Sequence, residues 1–137
     1  MSVWTYVTGV LVFGQFNPIY QKKKFDEVNR TIRNCLGKMV DFNDMISGNE
    51  EDCITIMPMG SEGTFEYEIT DSGFIIFYGS LRDFHGESDM KILDNYFKES
   101  FGRMKEEKIY VDEYLIKAWN RLDGEKIWKF DSKYENF

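Results

Sequence analysis

Apolar residues recur at three- and four-residue spacing in two separate stretches of the chain. Phe25, Val28, Ile32, Leu36 and Met39 form the first stripe; Met90, Leu93, Phe97, Phe101 and Met104 repeat its spacing. A period of roughly 3.6 residues puts each set on one side of a helix. The first helix is expected from Phe25 to Met39 or Val40. The second is expected from an N-cap at Ser88, with Asp89 favourable in its first turn, to the region of Met104 to Glu107.

Strand-like runs flank both stripes. From Val3 to Phe13 the chain sets Val3, Val7, Leu11 and Phe13 on one face and Trp4, Tyr6, Val10 and Val12 on the other. Two apolar faces mark a central strand. Cys53 to Met57 reads as a short strand that Pro58 confines to an edge or an end. Thr64 to Thr70 alternates Phe65, Tyr67 and Ile69 with Glu66 and Glu68, and Asp71-Ser72-Gly73 turns it tightly into the apolar run Phe74 to Leu81. Ile109 to Trp119 follows the second helix, and Asp123-Gly124 is a hairpin signal leading into Glu125 to Phe130. A tight turn between the middle strands makes them antiparallel. The expected fold is therefore α+β: a ferredoxin-like βαββαβ sandwich with an antiparallel sheet, both helices on one face and an extra C-terminal hairpin. Residues 1–137 are expected to form a single domain, with about the last seven residues loose.

Composition narrows the function classes. A net charge of −7 repels phosphate backbones and anionic membranes, so nucleic acid and lipid are disfavoured partners. Lys22, Lys23 and Lys24 are the only basic run and read as a solvated face. No apolar run is long enough to span a bilayer, the first residues lack the pattern of a signal peptide, and a cytoplasmic location is expected. Cys35 and Cys53 are expected as free thiols.

The chemistry-bearing residues are sparse. His85 is the only histidine, which removes two-histidine phosphoesterases and histidine-rich zinc hydrolases. No catalytic residue, cofactor or metal site is assigned. Arg82, Asp83 and His85 sit with Glu87 and Asp89 at a strand-to-helix junction, where backbone N–H groups can hold an anion. The junction reads either as a small ligand site or as ion pairs and helix caps. Asp44, Glu50, Glu51 and Asp52 lie in a polar loop without the alternation of an EF-hand, and read as a solvated edge or a contact for a basic partner. Trp4 and Tyr6, with Phe74 or Phe77, could stack bases on an open sheet, but the basic and glycine pattern of an RNA-recognition strand is missing. Acylphosphatases share this fold class, yet Gly14-Gln15-Phe16-Asn17 lacks the arginine of their phosphate loop.

Three segments resemble small bacteriophage and prophage accessory proteins: Ser2-Val3-Trp4-Thr5-Tyr6-Val7-Thr8-Gly9, Gly60-Ser61-Glu62-Gly63 (with a looser echo at Ser47-Gly48-Asn49-Glu50), and Gly79-Ser80-Leu81-Arg82-Asp83. The resemblance implies a cytoplasmic protein of an infected bacterium and carries over no active-site residue. Proteins of that kind often bind and block a host protein. With acidity, missing catalytic sets and 17% aromatic residues, it favours a non-enzymatic module that acts by protein–protein contact on a host defence or nucleic-acid-handling protein. Trp4, Tyr6, Trp119 and Trp128 are the expected aromatic anchors. Asp44, Glu50, Glu51 and Asp52 are expected to steer a partner with a basic surface. The same face could pair two copies into a homodimer. The alternatives are a small-ligand or nucleotide-binding protein, or a modest enzyme, using Arg82–Asp89, and a structural component of a virion.

Overall fold

The computed structural model describes residues 2–14, 24–37 and 57–133. Among them the order is β1 (Trp4–Val12), α1 (Phe25–Leu36), β2 (Glu66–Ile69), β3 (Phe74–Arg82), α2 (Glu87–Glu106), β4 (Glu113–Asn120) and β5 (Gly124–Asp131). The strands form one antiparallel sheet in the order β2-β3-β1-β4-β5, so the protein is α+β. The strand expected at Cys53 to Met57 lies outside the described residues except for Met57, which is buried and precedes β2 without joining the sheet. α1 ends at Leu36, short of the expected Met39 or Val40, because Gly37 takes φ +85 as its C-cap and donates its N–H to the Arg33 carbonyl.

Both helices pack on the same face. Val7 and Leu11 of β1, Ile75 and Phe77 of β3, and Ile116 of β4 share one core with Val28, Ile32 and Leu36 of α1 and Leu93, Phe97 and Met104 of α2. Phe97 is the hub, with the rings of Phe77, Phe65 and Trp128 centred 5.8, 5.9 and 4.9 Å away. Polar links finish the packing. The Tyr96 hydroxyl donates to the Leu36 carbonyl at 2.6 Å, and the Tyr67 hydroxyl donates to the Gly37 carbonyl, so the last turn of α1 is held from both α2 and β2. These bonds satisfy carbonyls that a helix end leaves open.

Two glycines are dictated by geometry. Gly73 takes φ +93 in the turn from β2 to β3, and a Cβ there would lie 3.0 Å from the Gly14 backbone. Gly79 takes φ +138 within β3, and a Cβ would come within 2.7 Å of the Phe65 Cα. Any side chain at either position meets both strain and backbone.

The ends of α2 differ from expectation. Ser88 lies inside the helix, and Gly86, at φ +89, is the N-cap. No side chain caps the first helical turn, and carboxylates instead take the two N–H groups that lead into it. Asp89 accepts the His85 N–H at 2.9 Å and Asp123 accepts the Gly86 N–H at 2.6 Å. At the other end, Ile109 N–H donates to the Met104 carbonyl at 2.9 Å and Lys108 N–H to that of Lys105 at 3.0 Å. This is a Schellman closure, with Met104 and Ile109 in buried contact positions and Lys108 at φ +65 where glycine is usual. Because the closure uses Lys108 and Ile109, β4 begins only at Glu113 and not at Ile109.

Candidate functional site

Among the described residues, strand alternation leaves the second face of the sheet without a covering layer. The cross-strand registers arrange its side chains in rows from β2 to β5. One row is Ser80, Tyr6, Trp119 and Glu125. The next is Glu66, Tyr78, Thr8, Lys117 and Ile127. The third is Glu68, Ile76, Val10, Leu115 and Lys129. Phe74 and Val12 follow beyond it, and Trp4 beside Arg82 closes the opposite end. The large apolar members of this face are 36–49% exposed. Exposed apolar side chains grouped on one face make it the candidate contact surface.

Local contacts order the aromatic end. The Tyr6 and Trp119 rings stack across β1 and β4 with centroids 5.7 Å apart and planes at 27°. The Arg82 guanidinium lies 6.0 Å from the Trp4 ring centroid. Its Nε donates to the Ser2 hydroxyl at 2.9 Å, its Nη1 pairs with Glu62, and Asp83 is 3.9 Å away. Partial desolvation, then the Glu66 and Glu68 carboxylates, hold the Tyr78 hydroxyl above its ordinary pKa, so it stays a neutral donor.

Three of the four expected aromatic anchors, Trp4, Tyr6 and Trp119, thus share the open face. Trp128 does not. It is buried on the helix-covered face, its ring against Phe97 and its indole N–H donating to Asp94 at 2.9 Å. The physical reason lies in the hairpin. A two-residue turn at Asp123-Gly124 would set Trp119 opposite Trp128, whereas the observed pairing of Asn120 with Gly124 sets Trp119 opposite Glu125. An odd shift in register moves every following side chain to the other face. Ile127 and Lys129 take the exposed places instead. Phe77, weighed with Phe74 for base stacking, is core, and Phe74 alone faces out.

The Arg82–Asp89 junction is brought together but is internally satisfied. Besides the Arg82 contacts, the Ser61 hydroxyl donates to Asp83 at 2.8 Å and the Ser61 N–H to the Arg82 carbonyl at 2.8 Å. His85 is exposed, and its backbone N–H is taken by Asp89. Asp44, Glu50, Glu51 and Asp52 lie outside the described residues.

One polar cluster escaped the sequence reading. Asn120 is almost wholly buried, and its side-chain amide donates to the Thr5 hydroxyl at 3.1 Å and to Asp123 at 2.9 Å. Its carbonyl oxygen accepts the N–H groups of Leu122 and Asp123 at 2.9 and 2.7 Å, which shapes the β4–β5 turn. Thr5 in turn donates to the Phe84 carbonyl. The Gly86 N–H bond first, then Asn120, hold the Asp123 carboxyl below its usual range. An asparagine at a turn start is the available signal, since its side chain mimics a backbone turn.

Nothing among the described residues offers an evident reactive centre. No group of three or more His, Cys, Asp or Glu is placed to hold a metal ion there. Burial first, then Glu107, push the Cys35 thiol up to about 11, far from a reactive thiolate. No described helix is long and apolar enough to cross a membrane. Comparison of the chain with protein families, with characterised proteins and with solved structures finds no match.

Proposed function

We propose that this chain is a non-enzymatic binding module that acts by protein–protein contact, with the open sheet face as its contact surface. The observation that carries the reading is the face itself: Tyr6, Trp119, Leu115 and Ile127 stand 46–49% exposed, side by side on three strands. Buried rings and aliphatic groups of this kind supply most of the free energy of protein contacts. The Arg82–Asp89 junction supports contact over ligand chemistry, because Arg82, Asp83 and Asp89 already hold partners within the protein.

Strands β4-β1-β3-β2 with two helices on one face read as a ferredoxin-like sandwich, and β5 as an added strand at its edge. The resemblance to phage accessory proteins supports a cytoplasmic setting and a host defence or nucleic-acid-handling protein as the eventual target. The net charge of −7 favours a basic surface on that target.

The test is affinity capture from a bacterial lysate with the wild-type chain and with Tyr6→Glu and Trp119→Glu. Both positions are exposed, so the variants should fold. The reading expects the captured set to be lost with either charge. An unchanged set would remove the open face from the function.

A further inference from the structure

One row of the open face carries opposite charges at its two margins. In the row Glu68, Ile76, Val10, Leu115 and Lys129, an apolar centre runs between a carboxylate on β2 and an ammonium group on β5. Such a row is self-complementary when a second copy is stacked upon it in reverse order. We infer that the open face is occupied by a second copy of this chain, packed sheet on sheet about a twofold axis running along β1.

Two in-plane axes can bring the face onto itself, and the charges choose between them. An axis across the strands lays β2 on β2, so Glu66 and Glu68 meet the same carboxylates of the other copy. That arrangement is repulsive. An axis along β1 lays β2 on β5 and β3 on β4. Glu68 then faces the other copy's Lys129, the Tyr78 hydroxyl faces Lys117, Ile76 faces Leu115, and Val10 meets its own counterpart. The ion pair forms twice, as an isologous interface requires. Aligned sheets stack about 10 Å apart with a small angle between strand directions, which suits side chains of these sizes.

The area is also adequate. Strands of nine, four, nine, eight and eight residues, spaced about 4.8 Å apart and rising about 3.4 Å per residue, present on the order of 600 Å² before side-chain relief is counted. A stable interface takes roughly 800 Å² per partner. The net charge of −7 per chain opposes association, so the two opposed ion pairs and the apolar rows must outweigh it.

This inference rests on the open face being a contact surface, and names a second copy as its occupant in the isolated protein, which a host target would have to displace. Sedimentation velocity on the full chain, over a concentration series, reads it directly. The wild type should sediment at twice the 16.3 kDa chain mass at micromolar concentration. Glu68→Lys or Lys129→Glu alone should weaken association at least tenfold, and the two together should restore it. Both positions are on exposed strand surface, so unchanged circular dichroism separates lost association from lost folding. A wild type that stays monomeric throughout, or a dimer indifferent to both single charge reversals, overturns the proposal. If the wild type is monomeric while Tyr6→Glu still abolishes capture from lysate, the second copy is wrong and the contact face survives. If neither assay responds, both are wrong.

Discussion

Tyr6 and Trp119 stack across neighbouring strands on the solvent side of the sheet, 5.7 Å between ring centroids. An aromatic pair in direct cross-strand register fixes the β1–β4 pairing while presenting both rings to the outside. Their mutual contact should be worth about 0.5–1 kcal/mol to folding. A double-mutant cycle with Tyr6→Ala and Trp119→Ala, followed by urea unfolding, measures it. Additive losses would mean that the rings do not couple in solution.

Asn120 does the opposite kind of work, buried and structural. Asn120→Ala leaves the turn N–H groups of Leu122 and Asp123 without their acceptor and deprives Asp123 and Thr5 of a donor. Unfolding by urea should show a loss of roughly 1–3 kcal/mol. A variant as stable as the wild type would show that the network carries no net stability.

Acid should destabilise the fold through Asp94 and Asp123. The Lys98 bond first, then the Trp128 indole, lower Asp94, and the Gly86 N–H first lowers Asp123. A carboxylate with a depressed folded pKa stabilises fully above its unfolded value, near 3.8 here, and loses that contribution as the pH falls through the lower folded value. Thermal midpoints should therefore fall below about pH 4 in the wild type. Asp94→Asn and Asp123→Asn should each flatten the drop, and parallel curves for all three proteins would contradict the assignment.

Cys35 should be silent in the folded state. With its thiol near 11 and its side chain buried, a Cys53→Ser chain should react with a thiol reagent only through unfolding. Labelling that tracks urea denaturation is expected; rapid labelling in native buffer would place Cys35 at the surface.

Lys108 pays for a left-handed backbone at the end of α2. Lys108→Gly relieves that strain while keeping the Schellman bonds, and should raise stability by roughly 0.5–1 kcal/mol. Equal or lower stability in thermal unfolding would indicate that the closure relaxes in solution.

How far these features were legible depended on the range of the interaction that decides them. The helical stripes were readable because one face of a helix is set by local periodicity; Val28, Ile32, Leu36, Leu93, Phe97 and Met104 are all buried as spaced. The two faces of β1 were readable for the same reason, from alternation alone. Trp128 was not, because its face depends on where Asn120 pairs across the turn. Asn120 itself was hidden, since its partners Thr5 and Asp123 meet only through the sheet. The start of α2 at Gly86 and not at Ser88 is not local either, since Asp123, 37 residues on, holds the Gly86 N–H. The charge order of Glu68 and Lys129 emerges only once five strands are in register.

On the proposed reading, the open face is where this protein meets its partner. Carbene footprinting with mass spectrometry, on dilute chain, concentrated chain and chain in bacterial lysate, tests it residue by residue. Trp4, Tyr6 and Trp119 should be labelled in dilute solution and protected in the concentrated chain or the lysate, while Ile92 on the outer side of α2 stays labelled throughout. Equal labelling of Tyr6 and Trp119 under all three conditions, or protection that falls on Ile92 instead, would contradict the account.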